Sequence, residues 1–299
     1  MNCHVGTKDM KIRKILFGLI FVLICSVGCG PEPAVDLFSN EETSTEQVAE
    51  IEHDSTREKY NKGSCKRLTD SPYVLVIFVD DEESSWDAAS VSNYWYDNVI
   101  PAMAYIEDQA NGYGISLSME TGSYATDTSR EMSVKYDGII SNYTGDAKAT
   151  EDLLEQCAVS LGFEDEYQMH EYLQSYTGKD QIAYMVAVNK PGRSYCMSTA
   201  SNSEYLEHCV LYTVYPTNKI ENSMSVAHEF FHLFGAEDLY DPYGKQPRRA
   251  ELAKEFYPDD IMFRRDEDVY QLSVGSFTAY TLGWTDEMPE ECNRQDWWE

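Results

Sequence analysis

Strands alternating with helices, a late helix that carries two histidines, and a smaller C-terminal part mark residues 65–299 as an α+β domain. That length suffices for one domain with a full core, and no internal repeat or second linker divides it. The run SPYVLVIFVDD (71–81) is apolar almost throughout, the pattern of a strand buried on both faces. Residues 91–114 follow with helical spacing of apolar positions and end on glycines. The polar–apolar alternation of ISLSME (115–120) predicts a second strand. Residues 146–163 and 164–176 read as helices, and 180–190 (DQIAYMVAVNK) and 209–216 (CVLYTVYP) as strands. SMSVAHEFFHLF (223–234) is the next helix, with Asn222 or Ser223 as its cap. SVGSFTAYTLGW (273–284) closes the domain as a helix begun by Ser276 or Ser273.

The chemistry concentrates in AHEFFHLFGAEDLYD (227–241). His228 and His232 are four apart, so on a helix they share one face, where a single zinc ion reaches both imidazoles. Glu229, beside the first histidine, is placed to hold a water against that ion as general base. Val226, Phe230, Phe231, Leu233 and Phe234 surround the polar trio and suit a buried helix. Gly235 lets the helix end in a left-handed turn and sends the chain back toward the metal. Asp238 then stands where a third ligand is needed, with Glu237 and Asp241 as competitors. A carboxylate oxygen is an acceptable zinc ligand.

The resulting pattern, H-E-x-x-H-x-x-G-x-x-D, resembles the long zinc motif of the metzincin metallopeptidases, in the variant with aspartate as third ligand found in snapalysin-type members. Downstream, YPDDIMFRR (257–265) resembles the metzincin Met-turn, with Met262 as its methionine. Some metzincins carry a tyrosine two residues after that methionine; Arg264 stands there instead. Arg264, Arg265, Tyr240, Tyr243 and Tyr280 are therefore all candidates to stabilise an oxyanion. The resemblance implies a metzincin-like domain: a mixed sheet over the active-site helix, a smaller C-terminal part, and an edge strand that pairs with an extended peptide. That edge is expected in VLYTVYP or in the strand before it. The implied activity is zinc-dependent peptide-bond hydrolysis, with one catalytic zinc on His228, His232 and Asp238. Three rivals stand beside it. They are a surface binding protein or adhesin with a closed structural zinc site, a zinc hydrolase of cell-wall peptides, and a gluzincin-type enzyme whose third ligand is a distant glutamate.

The N-terminus reads as an export signal. KDMKIRK is basic, and ILFGLIFVLICSVG is an apolar run too short for a comfortable membrane span. It ends at SVGC, which resembles a bacterial lipobox with Cys29 as the lipidated residue. Residues 1–28 are thus expected to be a lipoprotein-type signal peptide, with an ordinary signal peptide cut nearby (a secreted protein) or an uncleaved anchor as the alternatives. Residues 29–64, acidic and poor in apolar side chains, are expected to be a flexible tether that puts the domain at the cell surface. The chain carries a formal charge of −29; without residues 1–28, which hold four basic residues against Asp9, it is −32. Such acidity excludes a nucleic-acid partner, which needs a basic footprint. The expected partners are a protein or peptide substrate and, through the lipid on Cys29, a membrane; the protein is expected to be a monomer.

Export permits disulfides. Cys196 with Cys209, closing one loop, and Cys65 with Cys292, joining the ends of the domain, are the candidate pairs, leaving Cys157 as a buried thiol. The acidic cluster DDEESSWD (80–87) offers a calcium alternative, although runs of carboxylates are usually solvated.

Overall fold

The computed structural model describes residues 63–123, 133–141, 152–198, 206–216, 221–241, 244–265, 268–293 and 297–298. The expected signal peptide, the lipidation site Cys29 and nearly all of the tether lie outside them. The described chain is α+β, built on one mixed sheet. Its strands are β1 (Tyr73–Asp80), β2 (Glu120–Gly122), β3 (Val134–Lys135), β4 (Ile182–Pro191), β5 (Tyr195–Met197) and β6 (His208–Val214), in the order β2-β1-β4-β6-β5, with β3 also on β1. All pairs are parallel except β5 with β6.

Alternation along the central strands divides the core in two. Val74, Val76 and Phe78 of β1, with Ala183, Met185 and Ala187 of β4, face one side. There they pack with helices α1 (Ala88–Tyr94), α2 (Ile100–Gly112) and α5 (Ser223–Leu233). Leu75, Ile77 and Val79, with Ile182, Tyr184, Val186 and Val188, face the other side. They meet α3 (Leu153–Ser160) and α4 (Glu166–Thr177) through Leu153, Leu154, Met169 and Leu173. Both faces being covered explains why β1 and β4 read as unbroken apolar runs. Between α1 and α2 the helix widens into a π-turn at Trp95–Val99. Pro101, which has no N–H to return to the ladder, stands just beyond it.

Several expectations need correcting. ISLSME is not a strand; only its last residue, Glu120, enters β2. Neither VLYTVYP nor the strand before it in the sequence reading is an edge, because β4 is central and β6 has β5 on its outer side. The edge on that side is β5, whose three residues are too few to show a period. The final helix, α7 (Ser276–Leu282), starts from Gly275 with no side-chain cap, so neither Ser273 nor Ser276 fills that role. A helix passed over in the sequence, α6 (Pro247–Phe256), lies between the histidine helix and α7; it is polar enough to hide its periodicity. Cys65, Cys157, Cys196, Cys209 and Cys292 are all free thiols; of the two candidate pairs, the geometry contradicts Cys65 with Cys292. Cys65 donates to the Ile182 carbonyl, whereas Cys292 sits against the Tyr257 hydroxyl, so the two do not share a site. Cys196 and Cys209 do stand opposite one another across β5 and β6, as reduced neighbours.

Candidate metal centre

Asn222 caps α5, its side chain accepting from the Met224 amide at 3.1 Å. From that start the helix turns Val226, Phe230 and Phe231 into the core and carries His228 and Glu229 with them, so that both polar residues are almost wholly buried. It stops at Gly235, whose φ of 91° is open to glycine and costly for other residues. The reversed chain brings the Ala236 carbonyl under His232, whose Nδ1 donates to it at 2.7 Å. His228 Nδ1 donates likewise to the Ile261 carbonyl at 3.0 Å. Carbonyls only accept, so both Nδ1 atoms carry the proton and both Nε2 lone pairs are left to the cleft.

Asp238 meets those lone pairs. Its Oδ1 is 3.1 Å from His228 Nε2 and 3.4 Å from His232 Nε2. Two ligands at about 2 Å from a tetrahedral ion stand about 3.3 Å apart, so the spacing suits a shared cation. His228 Nε2 and Asp238 Oδ1 are buried without a hydrogen-bond partner, the condition of a donor set built for something other than protein. His228, His232 and Asp238 are the one such group of three among the described residues, with ligand atoms all within 4.8 Å of one another. Two imidazoles and a carboxylate match the preferences of zinc. Of the competing acids, Glu237 is turned to Arg249 and Asp241 accepts the backbone amides of Lys245 and Gln246.

The electrostatics agree with the geometry. Burial works to lower the His232 pKa, but the Asp238 carboxylate outweighs it and the value is pushed up to about 10. Burial alone would raise Asp238; the neighbouring His232, with His228, holds it well below the ordinary carboxylate range. A proton and a cation therefore compete for the same atoms.

The segment around Met262 ties the site together through its backbone. Asp260 accepts from the Met262 amide at 2.6 Å and the Gly275 amide at 2.7 Å. Burial pushes its carboxyl up to about 6 against the pull of those amides. The turn so fixed offers the Ile261 carbonyl to His228 and the Met262 carbonyl to the Leu239 amide at 2.9 Å, next to Asp238. Met262 itself is fully buried.

A cleft of about 320 Å³ opens at the three ligands, lined also by Arg193 to Cys196, Tyr240 and Arg265. Arg265, not Arg264, reaches it; Arg264 is paired with Asp259 outside. Tyr240 accepts from Arg265 Nη1 at 2.6 Å and from Arg193 Nη2 at 3.4 Å. Its ring centroid is 6.2 Å from that of His228. Tyr280 is buried in α7 and does not line the cleft, and Tyr243 lies outside the described residues. Sequence reasoning missed Arg193 and β5 altogether; nothing local to residues 193–198 signals a cleft wall. The three aspartates of the 80–87 cluster are engaged by protein donors: Asp80 by the Trp86 amide, Asp81 by Lys190 and the amides of Glu83, Ser84 and Ile140, Asp87 by the Ser90 amide. Comparison with protein-family models, with curated proteins and with solved structures finds no match.

Proposed function

We propose that this chain is a zinc-dependent endopeptidase of metzincin-like fold, exported and held at the cell surface by a lipid on Cys29. The observation that carries the reading is the convergence of His228, His232 and Asp238 beside a buried Glu229, inside a cleft bordered by an edge strand. Zinc bound there supplies a Lewis acid that polarises a scissile carbonyl and acidifies water. Glu229 takes the proton from that water and returns it to the leaving amine. Tyr240 accepts two guanidinium hydrogens, so its own hydroxyl proton is left to point at the substrate, where it meets the charge that builds on the carbonyl oxygen. The outer side of β5 offers backbone groups to an extended peptide. A closed structural zinc site is the weaker reading, because Glu237 and Asp241 are both committed elsewhere and no fourth acid among the described residues joins the group.

The test pairs zinc content with turnover. The purified protein should hold about one zinc per chain and cleave peptides. Glu229→Gln should keep the zinc and lose activity by about 10²–10⁴-fold. A zinc-loaded wild type that cleaves no peptide, or a Glu229→Gln protein with normal turnover, would remove the reading.

A further inference from the structure

We infer that Cys196 and Cys209 form a thiol-modification site: Cys196 takes up a small thiol from a low-molecular-weight disulfide, and Cys209 displaces it to close a cross-strand bond that locks β5 onto β6 beside the metal centre. Cys196 and Cys209 are Cα partners in the antiparallel ladder of β5 and β6. Residues directly opposite in such a ladder have Cα atoms about 4.5–5.5 Å apart, inside the range of about 4.4–6.8 Å that a disulfide needs. Both side chains fall on the α5 side of the sheet, Cys209 within the core there and Cys196 packed against it. The two thiols lie within hydrogen-bonding reach of one another, which adds to burial in pushing the Cys209 thiol well above its ordinary value.

The two sulfurs differ in access, and that sets the order of events. Cys196 is partly exposed and lines the cleft with His228 and His232, whereas Cys65, Cys157, Cys209 and Cys292 are buried. The Cys196 thiolate, its proton given to water, attacks one sulfur of a small disulfide RSSR, forming a Cys196–S–S–R bond and releasing RS⁻. The Cys209 sulfur then attacks Cys196 Sγ, the bond to the small thiol breaks, and the second RS⁻ leaves with the Cys209 proton. Two protein thiols are oxidised and one RSSR is reduced to two RSH. The second step is the slow one, because burial keeps Cys209 protonated. In it Cys209 gives up its contact with the Glu229 carbonyl, to which its thiol donates at 3.0 Å. Strand β5 has three residues and is the end strand on its side of the sheet among the described residues, so a covalent tie at its middle residue holds the whole strand. Neither sulfur belongs to the ligand group, so the lock is independent of the peptidase reading.

Incubation of the full chain with glutathione disulfide, followed by alkylation of the remaining thiols and peptide mapping by mass spectrometry, decides the matter. Among Cys65, Cys157, Cys196, Cys209 and Cys292, Cys196 should acquire glutathione at least about tenfold faster than the other four. That adduct should then disappear as a linked Cys196–Cys209 peptide appears, and dithiothreitol should return both thiols. Cys209→Ser should halt the sequence at the Cys196 adduct, and Cys196→Ser should leave Cys209 unmodified, with folding of each variant checked by thermal melting. In the linked wild type the amides of β5 should exchange hydrogen about tenfold more slowly than in the reduced chain. A first adduct on another of these five thiols, a Cys196 adduct that persists in the wild type, or a bond from Cys196 to any other cysteine overturns the inference. So does a Cys196–Cys209 bond that leaves exchange in β5 unchanged. None of these readouts needs turnover, so they stand whether or not the chain cleaves peptides.

Discussion

Asp81 and Asp238 are both aspartates in loops that leave a major element, and the chain treats them in opposite ways. Asp81 is met from every side: by the amides of Glu83, Ser84 and Ile140, by the Ser84 hydroxyl and by the Lys190 ammonium. Asp238 is met by the Nε2 atoms of two imidazoles that already donate through Nδ1, so a proton or a cation must stand between those nitrogens and the carboxylate. A carboxylate surrounded by donors is structural, and one aimed at other acceptors asks for a cation between them. Acidity does not separate the two residues. The partners do.

The contrast breaks most directly by deletion. Asp238→Ala should lower zinc affinity by more than about a hundredfold, beyond the 10–100-fold that losing an outer-shell partner costs. Equilibrium dialysis against a zinc buffer reads the effect. Full zinc occupancy in this variant would move the third ligand elsewhere and dissolve the contrast.

Asp81→Ala should do the reverse. The side chain is fully buried, and Lys190 is left with Glu83, which is over half exposed. Removing one partner of a buried pair costs about 3–5 kcal/mol; retention of Glu83 and the loop's exposure put the expectation at the lower end. Zinc content should stay at the wild-type level. Urea denaturation checks the stability loss, and a variant of unchanged midpoint would show that the loop does not depend on this hub.

Glu237→Gln sharpens the comparison at the residue next to the proposed ligand. Glu237 pairs with Arg249, which is itself almost wholly buried between Phe277 and Trp297. Neutralising the acid should cost about 2 kcal/mol, the scale of a hydrogen bond to a charged group, and leave zinc in place. A loss of zinc equal to that of Asp238→Ala would make Glu237 a ligand.

How far the sequence foretold this follows from the range of each interaction. The His228, Glu229 and His232 set is local, fixed by one turn of helix, so spacing alone displays it. Asp238 was legible as well, because Gly235 marks where the chain reverses. The Met262 turn was readable as a turn, but its work is done by backbone carbonyls, and no residue type announces a carbonyl that holds His228. Arg265 was indistinguishable from Arg264, since which of two adjacent side chains enters a cleft depends on the twist of the turn. Arg193 and β5 were invisible because three residues carry no period and their partner, β6, is distant in sequence. The pairing of Cys65 with Cys292 failed for a related reason: the two bound the domain in sequence, yet one is anchored on β4 and the other on Tyr257.

A third carboxylate, Glu166, lies between the two cases and gives the smallest effect. It opens α4 just after its cap, Asp165, and is almost wholly buried. One oxygen accepts from the Leu206 amide at 2.7 Å, and the other is buried with no partner. Burial pushes its carboxyl up to about 7, helped by Glu155 and Asp165 and opposed by the Leu206 amide. The folded value thus exceeds the ordinary 4.5, so the folded state binds the proton more tightly than the unfolded chain. Stability from this group is fully present below about pH 4.5 and is lost as pH rises through about 7. Glu166→Gln keeps an acceptor for Leu206 and removes the charge, so it should leave the melting temperature nearly unchanged at acidic pH and raise it by a few degrees at alkaline pH. Melting curves of variant and wild type across that range give the answer as a gap that widens with pH. A constant gap would mean that the orphan oxygen finds a donor, and that Glu166 belongs with Asp81 among the satisfied carboxylates.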